Sequence, residues 1–182
     1  VANIILQAAI NSLGTVVMAA SSAAYNIEVL AYYILNSFSQ ACTTFVGQNN
    51  GAGNRLRCRR VLKDCILEDF IFTLLSIVLI LFYGRQMLGL FNPDAEVVSN
   101  GYTRLLWVFS AYFFSMLYEN IAGYLRGFGI SLAPSLLTVI GVCGIRIAWI
   151  YTVFQTSRTF PSILSAYPVS MAATAVMLII AV

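Results

Sequence analysis

Long apolar stretches separated by short polar links dominate this chain and restrict the folds that are open to it. Hydrophobic residues make up 60% of the sequence and charged residues only 9%, whereas a soluble domain carries about a quarter charged residues. Such a chain cannot cover a water-facing surface. Since about 20 helical residues cross the hydrocarbon core of a bilayer, the sequence predicts an all-α, polytopic membrane helix bundle that contacts a lipid bilayer.

The apolar stretches predict about five full spans and one partial span. The partial span covers residues 1–13, and the full spans cover residues 23–47, 61–83, 102–124, 135–154 and 162–182. Asn92, Pro93 and Asp94 are typical turn residues between two of them. Because the connections are short, sequential helices are expected to be antiparallel neighbours. The chain begins and ends inside apolar runs, so we expect a piece of a longer membrane protein, truncated at both ends.

Half of the ten basic residues lie at positions 55–63, in a polar stretch that we interpret as a hairpin loop between two membrane helices. Lys and Arg accumulate in loops on the cytoplasmic side of membranes. This loop is therefore predicted to be cytoplasmic, in a multi-pass protein of the plasma membrane. Strict alternation then places Arg126 inside and Arg85, Arg104 and Arg158 at the outer ends of their spans.

The concentration of basic residues in one loop indicates a topology signal and not a nucleic-acid partner. The formal net charge is +3, and no aromatic residues accompany the basic stretch to stack on bases. The acids that follow it, Asp64, Glu68 and Asp69, are interpreted as interfacial partners of its basic residues.

Residues for common enzyme and metal sites are missing from the sequence. The chain contains no histidine, and its four cysteines are scattered. Zinc sites and histidine-based acid–base chemistry therefore have nothing to build on, and no nucleophile–base pair is recognisable. We expect no enzymatic activity, no metal and no cofactor, and we expect the cysteines to be small apolar residues in packed helices.

Polar side chains recur on one face of each of the first two predicted helices. The first helix carries Asn3, Gln7 and Asn11 at intervals of four residues. The second carries, at steps of four and three, Glu28, Tyr32, Asn36, Ser39 and Thr43. Hydrogen bonding between helices explains any one of these residues alone. Two polar rows on neighbouring helices favour a shared, water-accessible cavity.

Three charged residues inside predicted spans are candidates for a substrate or ion site, because an ionisable residue at the membrane centre costs about 2.5–3.5 kcal/mol. Helical rise places Glu28 and Arg146 in the same half of the membrane, so we expect them to lie near each other. Glu119 falls in the opposite half. It is interpreted either as a hydrogen-bonded acid near a helix end or as a protonatable carboxylate on a substrate or ion path. Arg146 would neutralise or tune an acid.

A series of motifs resembles the multidrug and toxic compound extrusion (MATE) family of secondary transporters. The motifs are VGQNNGAGN at 46–54, Phe91 with Asp94 as an F-x-x-D element, and YLRGFG at 124–129 with Pro134 after it. CGIRIAWIYTVF at 143–154, SAYPVS at 165–170 and NIE at 26–28 are similar to a bacterial, Firmicutes-type branch. The matches keep the family's order and spacing over nearly the whole chain.

The resemblance implies two six-helix lobes around a central cavity, which alternates between inward- and outward-facing states and exports small organic cations in exchange for H⁺ or Na⁺. Residues 1–182 would form most of the C-terminal six-helix lobe, and the N-terminal lobe of the same chain would be its partner. In several family members, acids on the first and fourth helices of this lobe bind the coupling cation. Here the fourth helix offers Glu119, and Ser115 stands where some Na⁺-coupled members have an acid.

Two other functions are open from the sequence. A lipid-linked oligosaccharide flippase has a similar bundle, but its cavity would need more basic residues than Arg146 alone to hold a pyrophosphate. A non-transporting membrane protein would have no polar cavity between its helices. Under the antiporter hypothesis, the residues predicted to bind substrate or ion are Asn3, Gln7, Asn11, Glu28, Tyr32, Asn36, Glu119 and Arg146.

Overall fold

The computed structural model describes the backbone of residues 2–181 and the side chains of residues 4–181. Helices account for almost all of the described backbone, as the composition predicts. They are α1 (Ala2–Asn11), α2 (Thr15–Gly51), α3 (Arg55–Phe91), α4 (Ala95–Ser110), α5 (Tyr112–Gly127), α6 (Leu132–Thr156) and α7 (Phe160–Ile180). Within α6, the segment Val139–Gly144 is a π-helix.

Three of these helices, α3, α6 and α7, are long and apolar enough to cross a membrane. The pair α4 and α5, which is bent by 49° where the two helices meet, qualifies as one broken span. Among the described residues there are thus three candidate spans, or four with the broken pair, and the fold is a polytopic helical bundle. The remaining predicted full span corresponds to α2. This helix has 37 residues, but it is too polar to count among the candidate membrane spans.

The polar stretch that we predicted to be a hairpin loop is mostly helical. α2 continues to Gly51 and α3 begins at Arg55, which leaves only residues 52–54 between them. Asn54 caps α3, since its Oδ1 accepts a hydrogen bond of 3.1 Å from the backbone N–H of Arg57. Gly53 has a φ of 73°, a left-handed conformation that glycine adopts without steric cost. At 1.5 Å per residue, α3 is about 55 Å long, so its basic first turns extend past the hydrocarbon core.

The turn predicted at residues 92–94 is confirmed, and its side chains explain why it forms. The Oδ1 atom of Asn92 accepts a hydrogen bond of 2.9 Å from the Asp94 N–H. The Oδ1 atom of Asp94 in turn accepts one of 2.8 Å from the Glu96 N–H and so caps α4. This is the usual role of a short polar residue at a helix N-terminus.

α2 is the central helix of the bundle and packs against α3, α4 and α5. Its contact with α5 is close because α5 presents glycines. A Cβ atom added to Gly123 would lie 2.5 Å from the Ser39 carbonyl oxygen, and one added to Gly127 would lie 2.6 Å from the Val46 Cβ. Small residues of this kind let membrane helices approach closely.

Three of the four cysteines are buried among apolar residues, as expected. Cys42, Cys58 and Cys65 pack with Val46 and Tyr124 in a small cluster near the α2–α3 turn. Cys143 is only partly buried. The larger apolar core contacts α2 nearer its N-terminus, through residues that include Ala24, Ile27 and Leu35. There α7 packs against α4, α5 and α6, and α1 packs against α2, α6 and α7.

Candidate functional site

A polar cleft runs between α2 and the helices that face it. It consists of three adjoining cavities of about 330, 340 and 370 Å³. We call the first the Arg146 cavity, lined by Gln7, Ser21, Tyr25, Arg104, Arg146 and Tyr167 among others. The middle cavity shares Tyr25, Arg146 and Tyr167 with it and is also lined by Glu28 and Glu119. The Glu119 cavity shares Tyr32, Glu119 and Thr138 with the middle one.

Glu28 and Arg104 form a buried ion pair in the wall of this cleft. Arg104 Nε donates to Glu28 Oε1 at 2.7 Å, and Arg104 Nη2 donates to Glu28 Oε2 at 2.9 Å. Arg146, which the sequence analysis places near Glu28, is therefore not the ion-pair partner of Glu28. Arg104, which the sequence analysis places at the outer end of its span, lies further along its helix than predicted. α4 begins at Ala95, several residues before the predicted start of the span, so Arg104 lies inside the helix and faces α2.

Arg146 is nevertheless close to this ion pair. Its guanidinium lies 4.4 Å from the ring centroid of Tyr167, and the Arg104 guanidinium lies 5.4 Å from the same ring. Its Nε donates to Ser170 Oγ at 3.0 Å. Glu28 and Arg146 thus line one cavity without being paired, and the ring of Tyr167 on α7 contacts the guanidinium groups of both Arg104 and Arg146.

Glu119 on α5 lies where the middle cavity meets the Glu119 cavity. Its side chain is 12% exposed. Tyr32 donates a hydrogen bond of 3.2 Å to its Oε1 atom, and Arg126 Nη2 lies 3.9 Å from its Oε2 atom. Although the sequence places Glu119 and Glu28 in opposite halves of the membrane, both carboxylates line the middle cavity.

The polar row of α2 divides into two parts with different surroundings. Glu28, Tyr32 and Asn36 line the cleft. Ser39 and Thr43 instead make helix–helix contacts, since their hydroxyls donate to the carbonyl oxygens of Glu119 at 2.6 Å and of Gly123 at 3.0 Å. Both explanations offered by the sequence, a cavity and interhelical hydrogen bonding, therefore apply to the same helix.

Of the polar row on α1, Gln7 lines the Arg146 cavity. Its Nε2 atom donates to Asn11 Oδ1 at 2.9 Å. Asn11 is exposed and lines a separate shallow groove with Ile4, Gln7 and Ala8. Asn3 lies outside the residues whose side chains the structure describes.

Asp69 is a buried acid that sequence reasoning assigned wrongly. Its side chain is 0% exposed, and it accepts hydrogen bonds of 2.6 Å from Asn120 Nδ2 and 3.4 Å from Thr73 Oγ1. It is therefore not an interfacial partner of the basic stretch, because the part of α3 that carries it is packed against α5. The signal that could have found it is the four-residue spacing of Cys65, Asp69 and Thr73, all of which are buried.

The described residues contain no group of three or more histidine, cysteine, aspartate or glutamate side chains that could hold a metal ion. The chemistry that the cleft offers is therefore that of single carboxylates, guanidinium groups, tyrosine hydroxyls and aromatic faces. Such an arrangement is suited to binding and releasing a charged or amphipathic small molecule.

The MatE family model matches residues 1–152 of the chain. This chain belongs to the MatE family. MatE membership confirms the resemblance that the motifs predicted. Two of the motifs occur at helix junctions of this MatE chain, VGQNNGAGN at the α2–α3 turn and YLRGFG at the end of α5.

Named relatives of this MatE chain are found in bacteria and mammals. It is 26% identical over 124 residues to "Probable multidrug resistance protein NorM" of Thermotoga maritima. The aligned region covers 67% of this chain and 26% of that protein. It is 28% identical over 131 residues to the protein of the same name from Chromobacterium violaceum, covering 71% of this chain and 28% of that protein. It is also 28% identical over 133 residues to mouse "Multidrug and toxin extrusion protein 1", covering 71% of this chain and 23% of that protein. The chain thus spans about a quarter of the length of these relatives.

Proposed function

We propose that residues 1–182 form the C-terminal six-helix lobe of a two-lobe antiporter in the plasma membrane. The whole protein would export small organic cations in exchange for H⁺ or Na⁺ by alternating access. α1 would be a partial first span, α4 with α5 the broken fourth span, and α2 a full span whose polar row faces the cavity shared with the N-terminal lobe. The basic start of α3 would lie on the cytoplasmic side.

The observation that carries this proposal is the position of Glu119. Its carboxylate lies between two cavities inside a membrane helix bundle, where ionisable residues most often serve a transport path. Glu28 is already neutralised by Arg104 through two short contacts. The only cation within 4.0 Å of the Glu119 carboxylate among the described residues is Arg126, at 3.9 Å. Glu119 is therefore the acid best placed to exchange a bound cation.

Aromatic side chains around Glu119 support a cationic substrate. Tyr32, Tyr112 and Tyr118 line the middle cavity beside it. Aromatic faces attract organic cations, and the attraction strengthens when water is excluded. A carboxylate surrounded by tyrosines thus offers both a charge and apolar contact area to an amphipathic cation. The names of the relatives, a probable multidrug resistance protein and a multidrug and toxin extrusion protein, support the export of drug-like molecules.

A lipid-linked oligosaccharide flippase has less support. Its cavity would have to hold a pyrophosphate, which requires several uncompensated positive charges. Arg104 and Arg146 both line the Arg146 cavity, but Arg104 is already paired with Glu28. One free guanidinium is insufficient for a pyrophosphate.

The proposal is tested with the full-length protein in vesicles, by following the efflux of a cationic dye under a proton gradient and, separately, under a sodium gradient. We expect Glu119→Gln to abolish gradient-driven efflux, because the amide keeps the size and the hydrogen bond from Tyr32 but not the charge. The matched control is Glu96→Gln, which changes an exposed acid in the first turn of α4 and should leave efflux at the wild-type rate. Wild-type efflux in the Glu119→Gln variant would refute the assignment of this residue.

A further inference from the structure

The Arg146 cavity differs in charge from the rest of the cleft. Two arginines line it and no acid does. The described side chains include all seven acidic residues of the chain. Within 4.0 Å of an arginine nitrogen there are only two carboxylates among them, Glu28 beside Arg104 and Glu119 beside Arg126. Arg146 therefore forms no ion pair with any described side chain.

The guanidinium of Arg146 is held in a fixed orientation. Its Nε donates to Ser170 Oγ at 3.0 Å, and its Cζ atom lies 4.4 Å from the ring centroid of Tyr167. Its two terminal nitrogens donate no hydrogen bond to any described residue, although Arg146 is half-buried. A guanidinium held in this way presents a planar pair of donors that matches a carboxylate or a phosphate.

A second, independent feature of the same cavity also points to a ligand. Ser21 lines the cavity, is only 1% exposed, and its Oγ atom has no hydrogen-bond partner among the described residues. Buried hydroxyls are normally hydrogen-bonded, and one without a partner calls for an explanation. An oxygen atom of a ligand would supply the missing acceptor.

We propose that the Arg146 cavity binds a single anionic group, a carboxylate or a phosphate monoester, through the terminal nitrogens of Arg146 and the hydroxyl of Ser21. Its volume of about 330 Å³ is within the range of small-molecule sites. One uncompensated guanidinium suits one anionic group. This site goes beyond the proposed function, since it lies at the opposite end of the cleft from the Glu119 cavity and takes a ligand of opposite charge.

The test is equilibrium binding to the full-length protein in phosphatidylcholine nanodiscs, measured calorimetrically without an ion gradient. The probes are phenylphosphate and benzoate, with the neutral benzamide for comparison. We expect both anions to bind and benzamide to bind at least about tenfold more weakly, since hydrogen bonds to charged groups are the stronger ones. The binding readout does not depend on dye efflux, so this inference and the proposed function can fail separately.

Variants assign the binding to the two residues. We expect Arg146→Gln to weaken phenylphosphate binding roughly ten- to a hundredfold, and Ser21→Ala to weaken it about two- to tenfold. Arg146→Lys keeps the charge but loses the planar pair of donors. Its affinity for phenylphosphate should therefore lie between those of wild type and Arg146→Gln. The matched control is Arg158→Gln, which removes an exposed arginine between α6 and α7 and should leave binding unchanged.

The source of the anion is decided by changing the lipid. If nanodiscs containing phosphatidic acid, a lipid with a phosphate monoester, weaken phenylphosphate binding to wild type more than they weaken the residual binding to Arg146→Gln, the site takes a lipid headgroup. If phosphatidic acid has no effect while the Arg146 and Ser21 variants weaken binding, the site takes a water-soluble anion. Equal phenylphosphate binding by wild type, Arg146→Gln and Ser21→Ala would overturn the proposal, and so would benzamide binding as tight as that of the two anions.

Discussion

Glu28 of α2 and Arg104 of α4 are joined by two hydrogen bonds of 2.7 and 2.9 Å, with side chains only 10% and 4% exposed. At this burial each charge depends on the other, because the cost of removing an ion from water is offset only by a well-oriented partner. The pair also fixes α2 to α4 beside Tyr167, whose ring is contacted by Arg104.

Removing one partner of this pair should destabilise the protein strongly. We expect Glu28→Gln in the full-length protein to lower the free energy of unfolding by about 3–5 kcal/mol, since Arg104 is left as a buried, uncompensated charge. The double variant Glu28→Gln with Arg104→Gln should lose less than the sum of the two single variants. The measurement is thermal or denaturant unfolding in detergent. Strictly additive losses would show that the two charges are not coupled.

Close packing of α5 on α2 predicts that added methyl groups are not tolerated there. Gly123→Ala and Gly127→Ala should each destabilise the protein by about 1–3 kcal/mol, as overpacking usually does. The matched control is Gly89→Ala in α3, because a Cβ atom at Gly89 meets nothing within 4 Å. Helical Ala in place of Gly there should be neutral or slightly stabilising. Equal effects at positions 89 and 123 in unfolding experiments would contradict the close contact.

The hydrogen bond from Asn120 to Asp69 predicts that removing the Asn120 side chain destabilises the protein more than removing that of Asn100. Asn120→Ala removes the 2.6 Å donor of a fully buried carboxyl group and should cost about 1–3 kcal/mol or more of stability. Asn100→Ala is the control, since the Asn100 amide donates only to the Glu96 carbonyl of its own helix and its loss should stay within about 0.5 kcal/mol. Unfolding transitions of the two variants provide the comparison.

Thiol labelling tests whether water fills the cleft. Cys143 is half-buried and lines the middle cavity, whereas Cys42, Cys58 and Cys65 are buried. A charged, water-soluble methanethiosulfonate reagent should therefore modify Cys143 and leave the other three intact, because only an accessible thiol reacts. Mass spectrometry of the peptide that contains residue 143 gives the result, and Cys143→Ser provides the background. An unmodified Cys143 in the folded protein would indicate a dry cleft.

Membrane class, helical content and the turn at residues 92–94 could be predicted from the sequence because they depend on local composition. The four-residue spacing of the polar rows correctly indicated a polar cleft that includes Glu28 and Gln7. The ends of the helices could not be found in this way. α2 and α3 are each 37 residues long, and their polar ends continue the helix beyond the length that hydrophobicity alone defines.

The partner of Glu28 could not be predicted, because periodicity identifies the face of a helix but not the neighbour that meets it. The sequence predicts only Arg146 as a neighbour of Glu28, whereas the packing of α4 against α2 makes Arg104 the ion-pair partner. Asp69 was missed for a related reason. Its position after a basic stretch suggested an interfacial acid, and only the tertiary contact with Asn120 on α5 explains its burial.

Both halves of the broken span, α4 and α5, which meet at a bend of 49°, are attached to α2 by an arginine. Arg104 holds the first half through Glu28, and Arg126 holds the second through Ser39 Oγ at 2.8 Å. A sliding motion of α2 along its axis would have to pull both attachments apart at once. A displacement of α2 should therefore move α4 and α5 with it, and we expect α2, α4 and α5 to tilt as one rigid body.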